Sequence, residues 1–163
     1  MIFQFSKNQV FIVLMTIFVA TQIIGLYTAS QYILYINAGE LTPMFDNPND
    51  IGNSFLMVFY ILAVTAVLIL VIKYKKSFLK VIEALAIFFT ASIVFDFAFP
   101  WVLGLGEVLA LILTAWKMFR PTHFKQNVAL VISISGAGAV IGSSFAILPI
   151  LVFMLLLSIY DFI

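Results

Sequence analysis

A chain of 163 residues that is 64% hydrophobic and 9% charged, with a mean hydropathy of +1.22, cannot fold as a water-soluble domain and reads as an integral membrane protein. With no cysteine and a single histidine, it offers no disulfide framework, thiolate metal site, cysteine nucleophile or multi-histidine zinc site, and no cofactor is expected. The net charge of +1 says nothing useful by itself, since in a membrane protein what informs is where each charge sits, and no nucleic-acid partner is expected.

A bilayer core about 30 Å thick takes about 20 apolar residues per helical span, so six spans would use roughly 120 residues and leave only short loops. The expected fold class is therefore all-α, a polytopic transmembrane bundle of six spans forming a single domain over residues 1–163. The first span is expected over about 9–36. Its apolar run exceeds the roughly 7 to 15 residues of a secretory signal core, and no Ala-x-Ala-like cleavage site closes it. Residues 37–54, with Gly39, Pro43, Pro48, Gly52 and several Asn and Asp, form the longest loop. The second span, 55–72, is ended by Lys73, Lys75 and Lys76. The third, 78–95, is broken by the corner from Asp96 to Pro100, and the fourth covers about 101–119. Residues 120–127 are a polar link containing Pro121. The next stretch, 128–160, carries no charge and is too long for one crossing, so it divides into spans 128–147 and 148–163. Pro149, after Ser143 and Ser144, is the expected turn between them.

Charge placement orients the six spans. All eight basic residues fall on one side: Lys7, then Lys73, Lys75, Lys76 and Lys80, then Lys117, Arg120 and Lys125. The opposite connections hold Glu40, Asp46, Asp50 and Asp96. By the positive-inside rule the amino terminus is cytoplasmic in a multi-pass protein of the cell membrane.

Three carboxylates remain within spans, and each costs at least about 2.5 kcal/mol at bilayer depth. Glu83 lies one turn beyond Lys80 and is expected to pair with it along the helix. Glu107 follows Gly104 and Gly106, about a turn and a half inside the fourth span, and is read as a carboxyl hydrogen-bonded within the bundle. Asp161 has no basic residue near it in sequence. Counted from Pro149, it lies about 18 Å into the membrane, a little past the middle. Tyr160 offers a phenolic hydroxyl, although adjacent residues on a helix do not share a face. A lone buried carboxyl suits proton relay, cation coordination or half of an aspartic-protease dyad. In the dyad, two carboxyls share one proton, so that one draws a proton from water while the other hydrogen-bonds the scissile carbonyl.

Three packing features stand apart from these. Gly138 and Gly142, with Ser135 and Ala139, mark an expected tight contact of the fifth span. The lone amide of Gln22 is expected to find a hydrogen-bond partner on another helix. His123, beside Pro121 and Lys125, reads as solvated.

Ser158-Ile159-Tyr160-Asp161 in an apolar sixth span resembles the Tyr-Asp motif of the presenilin and signal peptide peptidase family of intramembrane aspartyl proteases, and the archaeal presenilin homologues above all. Gln22, Phe45-Asp46-Asn47-Pro48, Gly136-Ala137-Gly138-Ala139 and Ile147-Leu148-Pro149-Ile150-Leu151 resemble family features in the same order. The resemblance covers the whole chain as the family's amino-terminal six spans. It implies that Asp161 is one catalytic aspartate, that Tyr160 is its motif partner, and that substrates are transmembrane helices of other proteins. The family's second aspartate lies in a Gly-x-Gly-Asp motif on a seventh span, followed by Pro-Ala-Leu on a ninth, and neither occurs in residues 1–163. Gly104-Leu105-Gly106-Glu107 mimics that motif, but it precedes Tyr-Asp, ends in Glu and is treated as a decoy. The implied partner is a carboxy-terminal part carrying the Gly-x-Gly-Asp span, and residues 1–163 alone are expected to be inactive. A terminal carboxylate at Ile163 would lie within hydrocarbon, so the native polypeptide is expected to continue for about five to eight residues of span and beyond. Deliberate truncation, a split gene or cleavage would each give this piece. The competing class is a non-catalytic helical membrane protein or transporter component in which Asp161 binds a proton or cation. Inverted repeats would favour transport, and residues 1–77 and 78–163 show no convincing self-similarity.

Overall fold

The computed structural model describes residues 7–75, 77–119 and 122–162; Lys76, Arg120 and Pro121 of the sequence reading lie outside the described residues, as does Ile163. Six α-helices follow one another: α1 (Lys7–Asn37), α2 (Gly52–Tyr74), α3 (Phe78–Ala98), α4 (Leu105–Phe119), α5 (His123–Ser144) and α6 (Ile147–Phe162). No strand occurs among the described residues, and the architecture is an all-α polytopic helical bundle. α1, α2, α3 and α5 are each long and apolar enough to cross a membrane. α4 and α6, with 15 and 16 residues, reach only about 22 to 24 Å at 1.5 Å per residue and are the short members of the bundle.

The helix ends differ from the apolar runs where a local rule intervenes. α5 starts at His123, five residues ahead of the uncharged stretch. Thr122 is extended there (φ −113°, ψ 155°) and its hydroxyl accepts from the Lys125 N–H at 3.5 Å, a helix cap that tolerates polar residues in the first turn. α3 continues to Ala98, so Asp96 sits in its last turn and not in a corner. The chain reverses over residues 99–104 through Gly104, whose φ of +80° is one that glycine adopts without strain.

Pro149 is not the turn between α5 and α6. A proline clashes with the carbonyl four residues before it and cannot donate to it, so the break falls upstream. Phe145 is extended (φ −115°, ψ 141°), and Pro149 stands in the first turn of α6, where no N–H is required.

α5 is the hub: it packs along α1 and α3 and touches α4, while α3 also packs along α4. α6 packs on α2. Small residues permit the close approaches. Ala91, Ala110 and Ala129 are completely buried, and a Cβ added at Gly136 would collide with the Thr90 carbonyl on α3. Between α1 and α5, a Cβ on Gly25 would lie 3.7 Å from Ser135, whose hydroxyl reaches both the Thr21 carbonyl (3.0 Å) and the Val131 carbonyl of its own helix (2.7 Å). The expected Gly138 and Gly142 contact is corrected by this geometry. Neither has an atom within 4 Å of a built Cβ, and the stripe that makes contact is Ser135, Gly136 and Ala139, because those residues share the face turned to α1 and α3. Gln22 is exposed and its side-chain amide has no hydrogen bond among the described residues, so the expected partner is not found there.

Candidate active site

α6 carries Tyr160 and Asp161, and its position is set at its beginning. Phe45 in the loop after α1 packs against Phe145 (ring centroids 5.1 Å), which stacks on Phe153 of α6 (5.6 Å, 12° between planes). Met57 of α2 closes this cluster. The Ala146 N–H donates to the Pro48 carbonyl at 3.0 Å, and the Ser54 hydroxyl of α2 donates to the Pro149 carbonyl at 2.6 Å in a fully buried contact.

From this anchor α6 runs to Asp161, 14 residues beyond Ile147 and so about 21 Å along the axis. Asp161 and Tyr160 are both exposed on the last turn. Neither side chain takes part in a hydrogen bond or ion pair among the described residues. The Tyr160 hydroxyl does not serve the neighbouring carboxylate, because successive residues diverge by about 100° around a helix.

The other two intramembrane carboxylates are placed elsewhere. Glu83 pairs with Lys117 of α4 and not with Lys80. The reason lies in the packing of α3 on α4: it buries the Lys117 side chain, whose ammonium then takes the nearest carboxylate on the facing helix. Glu107 lies in the first turn of α4, not a turn and a half inside it. There it lines a pocket of about 450 Å³ with Tyr32, Tyr35, Glu40, Asp96 and Gly104. That pocket gathers the ends of α1 and α3 with the start of α4, whereas Asp161 closes the opposite end of α6. The Gly-x-Gly-Glu sequence therefore lies at the other end of the bundle from Asp161. Its second glycine has a packing role, since a Cβ on Gly106 would collide with the carboxylate of Asp96. No group of three or more His, Cys, Asp or Glu able to hold a metal ion occurs among the described residues. His123 is exposed at the start of α5.

A family model described as signal-peptide peptidase, presenilin aspartyl protease matches residues 8–163, from the start of α1 through Asp161. The chain belongs to this family. No curated protein and no solved structure matches it. As a member of the signal-peptide peptidase and presenilin family it is a multi-pass membrane protein of an aspartyl protease lineage that acts on transmembrane substrates, and its run of apolar helices accords with that.

No local pattern singles out Ser54, which bonds to the first turn of α6. A serine three residues into an apolar helix looks like ordinary capping, and its acceptor is the carbonyl of a residue 95 positions away. Phe45 was visible as part of a family-like loop segment, but its ring contact on Phe145 was not.

Proposed function

We propose that this chain is the amino-terminal part of an intramembrane aspartyl protease in which Asp161 is one of the two catalytic aspartates and Tyr160 its motif partner. The observation that carries the reading is the family match running through α6, where Asp161 is the one carboxylate in residues 128–163. The chemistry requires a second carboxyl close enough to share a proton with it. The ionised member takes a proton from water, the protonated member donates to the scissile carbonyl, and the tetrahedral intermediate collapses as the proton passes to the leaving amine. Residues 1–163 contain no Gly-x-Gly-Asp, so a carboxy-terminal part bearing that motif supplies the second aspartate. Asp161 stands exposed on its helix, which suits a group that meets a partner carboxyl and a substrate strand.

The same reading places the amino terminus in the cytoplasm. Lys73, Lys75, Lys80, Lys117 and Lys125 lie where α2 and α4 end and α3 and α5 begin, and Glu40, Asp96 and Glu107 gather at the other end. Asp161, at the far end of α6, is then nearest the basic side, from which water would enter. The test is complementation. Residues 1–163 co-expressed with a polypeptide supplying the Gly-x-Gly-Asp span cleave a transmembrane substrate, and Asp161→Ala abolishes the cleavage. Cleavage that persists in Asp161→Ala would overturn the assignment.

A further inference from the structure

We infer that the hydrogen bond from Ser54 to the Pro149 carbonyl, backed by the Phe45, Phe145 and Phe153 rings, sets the register of α6 and makes Ser54 a positioning residue for Asp161. The inference rests on the reading of Asp161 as catalytic. Its physical basis is how little else holds α6. Among the described helices α2 is the one packed extensively against it, and the buried residues of α6, Pro149 and Phe153, both lie in its first two turns. Beyond Phe153 no residue of α6 is fully buried, and Leu157 is the last that packs against this cluster, so the final turn with Tyr160 and Asp161 projects from an anchored stem.

Ser54 differs from most helical hydroxyls of the chain, and Ser135, which also reaches another helix at the Thr21 carbonyl, keeps the Val131 bond of its own helix as well. Thr16, Thr21, Thr28, Thr90, Thr114, Ser143 and Ser144 each donate to a carbonyl four residues back in their own helix. Ser54, the third residue of α2, has no helical turn behind it and reaches instead across the bundle. Its acceptor is the carbonyl of the proline that forces the break at Phe145, so one contact fixes both where α6 starts and how it is rotated against α2. A slip of one residue would move Asp161 by about 1.5 Å and turn it by about 100°. Proton sharing between carboxyls tolerates heavy-atom separations of only about 2.6 to 3.2 Å, so such a slip would disable the pair.

The absence of native cysteine makes the register measurable on the chain itself. Two reporter variants of residues 1–163, Asp161→Cys and Gln22→Cys, are reconstituted in nanodiscs and reacted with a water-soluble maleimide. Adding Ser54→Ala changes the rate at position 161 about fivefold, the population shift expected for a lost buried hydrogen bond, and leaves the rate at position 22 on α1 unchanged. Phe45→Leu, which loosens the ring stack without removing a polar group, moves position 161 in the same direction. Unchanged rates at 161 in both backgrounds, or equal changes at 161 and 22, overturn the inference. In the complemented protease, Ser54→Ala lowers kcat with KM preserved. Failure of the thiol measurement leaves the protease assignment standing. Conversely, cleavage that survives Asp161→Asn removes that assignment without touching the measured register.

Discussion

Lys117 on α4 donates to the carboxylate of Glu83 on α3, 34 residues away in sequence, and the two ends of this pair live in different surroundings. The Lys117 side chain is 8% exposed and that of Glu83 54%. The exposed carboxylate, near the start of α3, can snorkel toward the interface when alone, whereas the buried ammonium is left without compensation when its partner goes. Glu83→Ala is expected to destabilise the bundle by about 1 to 3 kcal/mol, limited by the ability of a long lysine to snorkel toward the interface. Lys117→Met should be close to neutral. The double variant should resemble Lys117→Met alone, and denaturant titration of the four proteins in micelles checks the order.

Glycine contacts give a second, sharper contrast. Alanine at Gly136 or Gly106 must displace backbone or a carboxylate, so each substitution should cost about 1 to 3 kcal/mol. At Gly138 and Gly142 the added methyl meets open space on α5. There alanine should be neutral or stabilising by up to about 1 kcal/mol through its better helix propensity. Unfolding measurements on the four single variants decide the matter, and equal losses at Gly136 and Gly138 would contradict the packing described.

Those glycines also show what a sequence can and cannot disclose. The six apolar runs and their polar separators could be read directly, because hydrophobicity and length are properties of single segments. Asp161 stood out for the same reason, as a carboxylate closing a long uncharged stretch. Which glycine faces a neighbour is a property of helix rotation, and Gly138 fitted a spacing motif while Gly136 made the contact. Glu83 likewise had a plausible partner one turn away in Lys80, and only the packing of α3 on α4 supplies Lys117. The Ser54 to Pro149 contact joins residues 95 apart, and no local pattern encodes it.

The proposed orientation in the membrane rests on the charges and is open to direct measurement in this cysteine-free chain. Single cysteines at Lys75 and at Asp46 should behave oppositely toward an impermeant thiol reagent in intact cells. Position 46, in the acidic loop docked near α6, should label from outside, and position 75 only after the membrane is opened. Labelling of position 75 from outside would invert the topology and move Asp161 away from cytoplasmic water.

The last expectation concerns Asp161 in the complemented protease. Asp161→Asn keeps a hydrogen-bonding group of the same shape but cannot act as a base, so activity should fall to background while the fold is retained or slightly stabilised. Loss of activity alone would also follow if Asp161 relayed protons. A transition-state analogue of aspartic proteases separates the two, because its hydroxyl sits between both carboxyls and gains its affinity from that pair. A ligand present at 100 times its Kd stabilises the protein by about 2.7 kcal/mol, enough to read as a thermal shift. The shift should appear with residues 1–163 joined to the Gly-x-Gly-Asp part, disappear in Asp161→Asn, and be absent from residues 1–163 alone. Equal stabilisation of residues 1–163 with and without the complementing part would mean that the compound binds elsewhere, and the catalytic role of Asp161 would lose its support.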